Sequence, residues 1–310
     1  MREGICREAR DSTNPAFPNV PDSPPSPASQ PENPALSFLR RGMLEEALNT
    51  ATRIVTDLRE ESDGIKLFAA LQVLGDVQRE AGEVASAEAS YNEALEIAGY
   101  SDIAPVDKAR LRTQLATLFD FSQREAQAIP LYEQAITDYE ALTPPDDFSA
   151  AQLRNNLAMI YKGLGKYALA EQHYLRCLEV MELELGRDSE EVGSVYNNLG
   201  SLYYTAGFPD QAKEMFSEGL AIRQKILGPD DPDVAQSLCN IATAKHELGE
   251  NTAAMLDFEQ SLRILELHIK DEARSYEAVG LDYVALLENQ SEERKAAAFR
   301  KRMEKVLASV

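Results

Sequence analysis

The run Asn155-Asn156-Leu157-Ala158-Met159-Ile160-Tyr161-Lys162-Gly163-Leu164-Gly165-Lys166-Tyr167-Ala168-Leu169-Ala170-Glu171-Gln172-His173-Tyr174 decides the fold. Leu157, Tyr161 and Leu164 stand four and three apart, one stripe of a helix. Gly165 breaks the stripe and suits the left-handed cap that ends a helix. Tyr167, Ala170, Tyr174, Cys177 and Leu178 then form a second helical stripe. The unit is therefore helix, tight turn, helix. Ala158 and Ala170 allow two backbones to approach, and Tyr174 fills the space beside them.

The same unit recurs outward from this copy. A small residue stands at Gly75, Ala116, Ala158, Gly200, Ala242 and Ala285, in steps of 41, 42, 42, 42 and 43. Twelve residues after each comes Ala87, Ala128, Ala170, Ala212, Ala254 or Ala297, and four further on Tyr91, Tyr132, Tyr174, Phe216 or Phe258, until the series breaks at Lys301. Self-similarity at a fixed period predicts a solenoid, in which each hairpin covers the open apolar side of its neighbour.

These positions resemble the tetratricopeptide repeat, whose common period is about 34. Here roughly eight extra residues lengthen each unit. The connections Leu185-Gly186-Arg187-Asp188 and Leu227-Gly228-Pro229-Asp230-Asp231-Pro232 resemble those of kinesin light chains, as does the opening run with its Asn155-Asn156-Leu157-Ala158. The expected fold is all-α: a right-handed superhelical solenoid of six to seven hairpins over residues 34–310, closed by a C-terminal capping helix from Glu292. A partial hairpin over Ala35–Ile54 precedes the full copies.

Residues 1–33 are a different material. Eight of the 15 prolines lie between Pro15 and Pro34, with no apolar period, so a disordered Pro-rich leader is expected. It lacks the apolar core of a signal peptide, and no run reaches the roughly 18 apolar residues of a membrane span. Cys6, Cys177 and Cys239 are odd in number, far apart and without metal-ligand spacing. A cytoplasmic protein is expected. The formal charge of −21 repels nucleic acid.

No catalytic arrangement is legible. His173, His246 and His268 lack second-ligand spacing, and carboxylate pairs such as Glu190-Glu191 lie in connections where they cap and solvate. No enzyme activity, metal or cofactor is expected. The first helix of each unit should line an inward face. Reading its register places Asn155, Asn156, Asn197, Asn198 and Asn240 there, with Lys162, Tyr204 and His246 beside them. Asn is a below-average helix former, and its amide both donates and accepts, matching an extended peptide backbone. The plainer reading is that these amides bond neighbouring helices. The C-terminal helix carries the opposite charge to the rest: Arg294, Lys295, Arg300, Lys301, Arg302 and Lys305 make a candidate docking patch, or a solvated face complementing the helix dipole.

The resemblance implies a protein-binding scaffold. No heptads precede the repeats, which argues against a motor subunit. A free-standing chain of this type resembles the bacterial kinesin light chains, which accompany bacterial tubulins, so a bacterial tubulin filament is the implied partner. The alternative is a regulatory or chaperone-type scaffold that grips a linear peptide of another cytoplasmic protein.

Overall fold

The computed structural model describes residues 33–61 and 63–309. Apart from Asn33, the expected leader lies outside the described residues. Among them all regular structure is α-helical. Contacts divide the chain into two compact units after Ile160.

The first unit holds α1 (Pro34–Arg40), α2 (Leu44–Glu61), α3 (Gly64–Glu80), α4 (Val84–Tyr100), α5 (Pro105–Phe121) and α6 (Glu125–Glu140); α7 (Asp147–Gly163) crosses the boundary. The second holds α8 (Tyr167–Leu185), α9 (Glu190–Ala206), α10 (Pro209–Leu227), α11 (Pro232–Glu247), α12 (Asn251–Leu267), α13 (Ile269–Asn289) and α14 (Glu293–Leu307). In the first, α1 packs on α2, α3 on α4 and α5 on α6, and each pair packs on the next; in the second, the pairs α9–α10, α11–α12 and α13–α14 stack likewise. Such packing is almost wholly local in sequence, as a repeat array requires.

Side-chain caps start several helices. Asn33 accepts from the Ala35 amide at 3.0 Å, Asp63 from Lys66 at 3.1 Å and Asp231 from Asp233 at 2.9 Å. In the connection before α9 the cap is Ser189, which accepts from Val192, while Asp188 pairs with Lys225 instead. Pro130 is the sixth residue of α6, beyond the first turn in which a proline is free of cost.

Each hairpin bends at one left-handed residue: Gly82, Gln123, Gly165, Gly207, Gly249 and Ser291, with φ between 57° and 87°. This ruler corrects the last copy. Ser291 lies 42 residues after Gly249, so the period holds and the final markers are Val284 and Ala296, 1% and 2% exposed. Ala285 and Ala297, read from the sequence as the markers, face outward. The expected break at Lys301 is thus one residue late; Met303 fills the small-residue position instead and packs over Gly280.

Ala87, Ala128, Ala170, Ala212 and Ala254 are fully buried, and Tyr91, Tyr132, Tyr174, Phe216 and Phe258 nearly so. Cys177 is fully buried, in its packing position.

The interlock is tightest at the glycine markers. A Cβ on Gly200 would lie 2.4 Å from the Phe216 ring, and one on Gly75 equally close to Tyr91. Gly200→Ala should therefore destabilise by about 1–3 kcal/mol despite the better helix propensity of alanine. Urea unfolding checks this; a gain in stability would mean that the ring moves aside freely.

Candidate functional site

The inward positions are considered within each unit. In the second, Asn197 and Asn198 lie on α9 and Asn240 on α11, the first helices of adjacent hairpins. Asn240 donates to the Asn197 side-chain carbonyl at 2.9 Å and accepts from Gln236 at 3.1 Å. Lys162 reaches the Ser201 hydroxyl at 3.0 Å, Tyr204 donates to Glu247 at 3.3 Å, and His246 meets Asn251 at 2.7 Å. Asn198 and Asn240 are 5% and 8% exposed, whereas Asn197, Lys162, Tyr204 and His246 are half-buried and carry the accessible polar surface.

In the first unit Asn155 is 1% exposed, and its amide donates to Asn156 at 3.4 Å. Asn156 lies against the Tyr132 hydroxyl. The same inter-hairpin contact appears here with longer side chains: Gln72 donates to Gln114 at 3.2 Å, and Gln114 donates to Asp76 at 2.9 Å. Gln72 and Asn197 hold the same place in their units, as do Gln114 and Asn240. The amides thus form a polar seam between neighbouring first helices.

The sequence reading left several titratable groups aside. Burial, aided by the charge of Glu125, raises the Asp120 carboxyl to about 6. Burial likewise raises Asp282 to about 6. Hydroxyl–carboxylate pairs recur: Tyr91 with Asp76, Tyr203 with Glu171 and Tyr283 with Glu259, each at 2.6 Å. Burial and then the Glu171 bond push Tyr203 up to about 12. The signal available in the sequence was a Tyr and an acid on facing stripes, but stripe geometry alone does not fix which pairs meet.

On α14 all six cations are exposed. Lys295 pairs with Glu292, Arg300 with Glu288 and Arg302 with Glu266. Arg294, Lys301 and Lys305 have no ion pair among the described residues, and steps of seven and four align them on one helix face. Among the described residues no group of His, Cys, Asp and Glu could hold a metal, and no helix is long and apolar enough to cross a membrane.

Asn240→Ala leaves the Asn197 carbonyl without its donor. It should cost about 1–3 kcal/mol, seen as a lower melting temperature. An unchanged melting temperature with lost partner binding would make Asn240 a recognition residue instead. Asp120 gives a pH test. Its folded pKa lies above the ordinary value of 3.8, so the native state binds more protons and stability falls as pH rises from about 4 to about 6. Asp120→Asn should stabilise by about 1–2 kcal/mol at pH 7, allowing for partial solvent screening, and converge with the parent below pH ~4. Thermal melts across that range check both limbs.

A tetratricopeptide-repeat family model matches residues 149–225 and 191–266. No curated protein matches the chain. Among solved structures it is similar to BtubC (BKLC) from P. vanneervenii, with 33% identity over 71% of this chain and 90% of that one, at a TM-score of 0.61. A putative kinesin light chain of nearly identical TPR-like repeats from Podosopora anserina is 18% identical over 66% of this chain and 96% of that one, at 0.57. The apo form of RapI, 15% identical over 90% of this chain and 76% of that one, has a TM-score of 0.69 and shares the fold. The chain belongs to the tetratricopeptide-repeat proteins of the kinesin-light-chain type, the family of BtubC.

Proposed function

We propose that this chain is a non-catalytic scaffold that docks on a bacterial tubulin filament. The observation that carries the reading is the relation to BtubC, 33% identical across 90% of that chain. The fold itself is a protein-interaction fold.

Charge decides where contact is made. The chain carries −21 overall, and a tubulin-like surface is acidic as well, so broad contact is repulsive. The stripe of Arg294, Lys301 and Lys305 on α14 is the local exception. Its cations are exposed and unneutralised within the described residues, so they meet an acidic surface without first breaking an internal pair. Arg300 and Arg302 are weaker candidates, since Glu288 and Glu266 already hold them. The half-buried Lys162, Tyr204 and His246 form a second, peptide-sized contact within the scaffold reading.

Co-sedimentation with polymerised bacterial tubulin tests the proposal. The chain should pellet with filaments, stay in the supernatant alone, and release as salt rises past the screening range of about 0.1–0.15 M. The triple variant Arg294→Glu, Lys301→Glu, Lys305→Glu should lose several-fold in binding at low salt with its melting temperature unchanged. A chain that never pellets refutes the tubulin partner; a triple variant that pellets like the parent moves the contact off α14.

A further inference from the structure

The last hairpins enclose a cleft of about 520 Å³. Its walls are α12 and α14 and its floor is α13. The volume lies within the ordinary range of ligand clefts, roughly 300–1,000 Å³.

The lining departs from the repeat. At the register position of Tyr276 the preceding units carry Val192 and Val234, both fully buried packing residues. Tyr276 is also 0% exposed, but its hydroxyl has no hydrogen-bond partner among the described residues. Leaving a buried hydroxyl unpaired costs about 1–3 kcal/mol, so a valine would be the cheaper choice for packing alone. Tyr276 is one of the residues that line the cleft. Arg263 stands on the rim where the preceding unit has Ala221; it is exposed and has no ion pair among the described residues.

Of the other polar groups, the two carboxylates and Arg302 are engaged, while the Gln260 amide on the α12 wall can both donate and accept. Glu259 accepts from Tyr283 at 2.6 Å, and Arg302 pairs with Glu266 across the gap between α14 and α12. Beside Gln260, the unsatisfied groups are one hydroxyl and one guanidinium, both of which can donate to an anionic acceptor. Burial and the Glu266 charge raise the pKa of Tyr276, which keeps it a donor. Beside them lies apolar surface. Leu256 is 63% exposed, and Phe299 stands edge-on to Tyr283 at 5.2 Å.

We propose that this cleft binds an extended peptide carrying a carboxylate next to an apolar side chain, with Tyr276 and Arg263 holding the carboxylate and Leu256 and Phe299 the apolar group. The site lies away from the polar seam and does not depend on which filament or protein supplies the peptide. A bare inorganic anion would satisfy the guanidinium and leave the apolar wall unused.

The test is fluorescence anisotropy on the full chain with a dye-labelled heptapeptide, Leu-Glu at its centre and Gly-Ser flanks, against its Leu-Gln and Ala-Glu counterparts. The Leu-Glu peptide should bind saturably, and each counterpart about tenfold more weakly. Tyr276→Phe should weaken binding about tenfold while leaving the melting temperature unchanged or raised. Arg263→Ala should weaken it and flatten its salt dependence. Three results overturn the proposal: no saturable binding below about 1 mM, equal affinity for the Leu-Glu and Leu-Gln peptides, or full affinity in Tyr276→Phe. Equal binding of the Ala-Glu peptide would reduce the site to an anion contact and overturn the peptide assignment. None of these results bears on filament docking.

Discussion

The hairpins α3–α4, α5–α6, α9–α10 and α11–α12 each rest on one close approach: a small residue on the first helix, an alanine twelve positions on, and an aromatic ring laid between the two backbones. The ring is almost wholly buried, and the small residues bring the helices near enough for it to touch both. The constraint is steric before it is hydrophobic. At Gly75 and Gly200 the ring already occupies the space of a Cβ, so even a methyl is excluded. Everything else in the unit, including the bend at its left-handed residue, follows from holding two helices at that spacing.

The end of the array shows what happens when the interlock is altered. In the last hairpin Val284 replaces the small marker, and Arg300 stands where earlier units have an aromatic. Phe299, Met303 and Gly280 assemble a substitute contact. The substitute leaves α12 and α14 apart over α13, and polar side chains absent from earlier copies line the gap. This hairpin thus departs from the interlock of the earlier ones.

Most of the fold was legible because period and small-residue spacing are sequence properties. The helix pairs, the turn at Gly165 and the burial of Ala170 and Tyr174 all follow from spacing alone. The slip at Ala285 has a physical cause. A run such as Val284-Ala285 with Ala296-Ala297-Ala298 offers several small residues, and only the backbone angle at Ser291 selects the register. The site was less legible. Register placed the Asn side chains on the inward face, but whether an amide meets a ligand or a neighbouring amide depends on reach across the gap. For Asn197 and Asn240 the structure gives the neighbour. Tyr276 was invisible because an apolar-looking position does not declare an unpaired hydroxyl.

The amide seam also bears on how such an array persists. An apolar stripe tolerates sliding, since one methyl replaces another at little cost. A donor on Asn240 and an acceptor on Asn197 tolerate none. One residue inserted ahead of either would rotate it by about 100° around its helix and strand both groups in a half-dry interface. The seam therefore acts as a gauge of repeat length. Substitutions may accumulate freely around it, but insertions and deletions within the first helices are penalised at once, and duplicated copies stay commensurate long after their sequences have drifted apart.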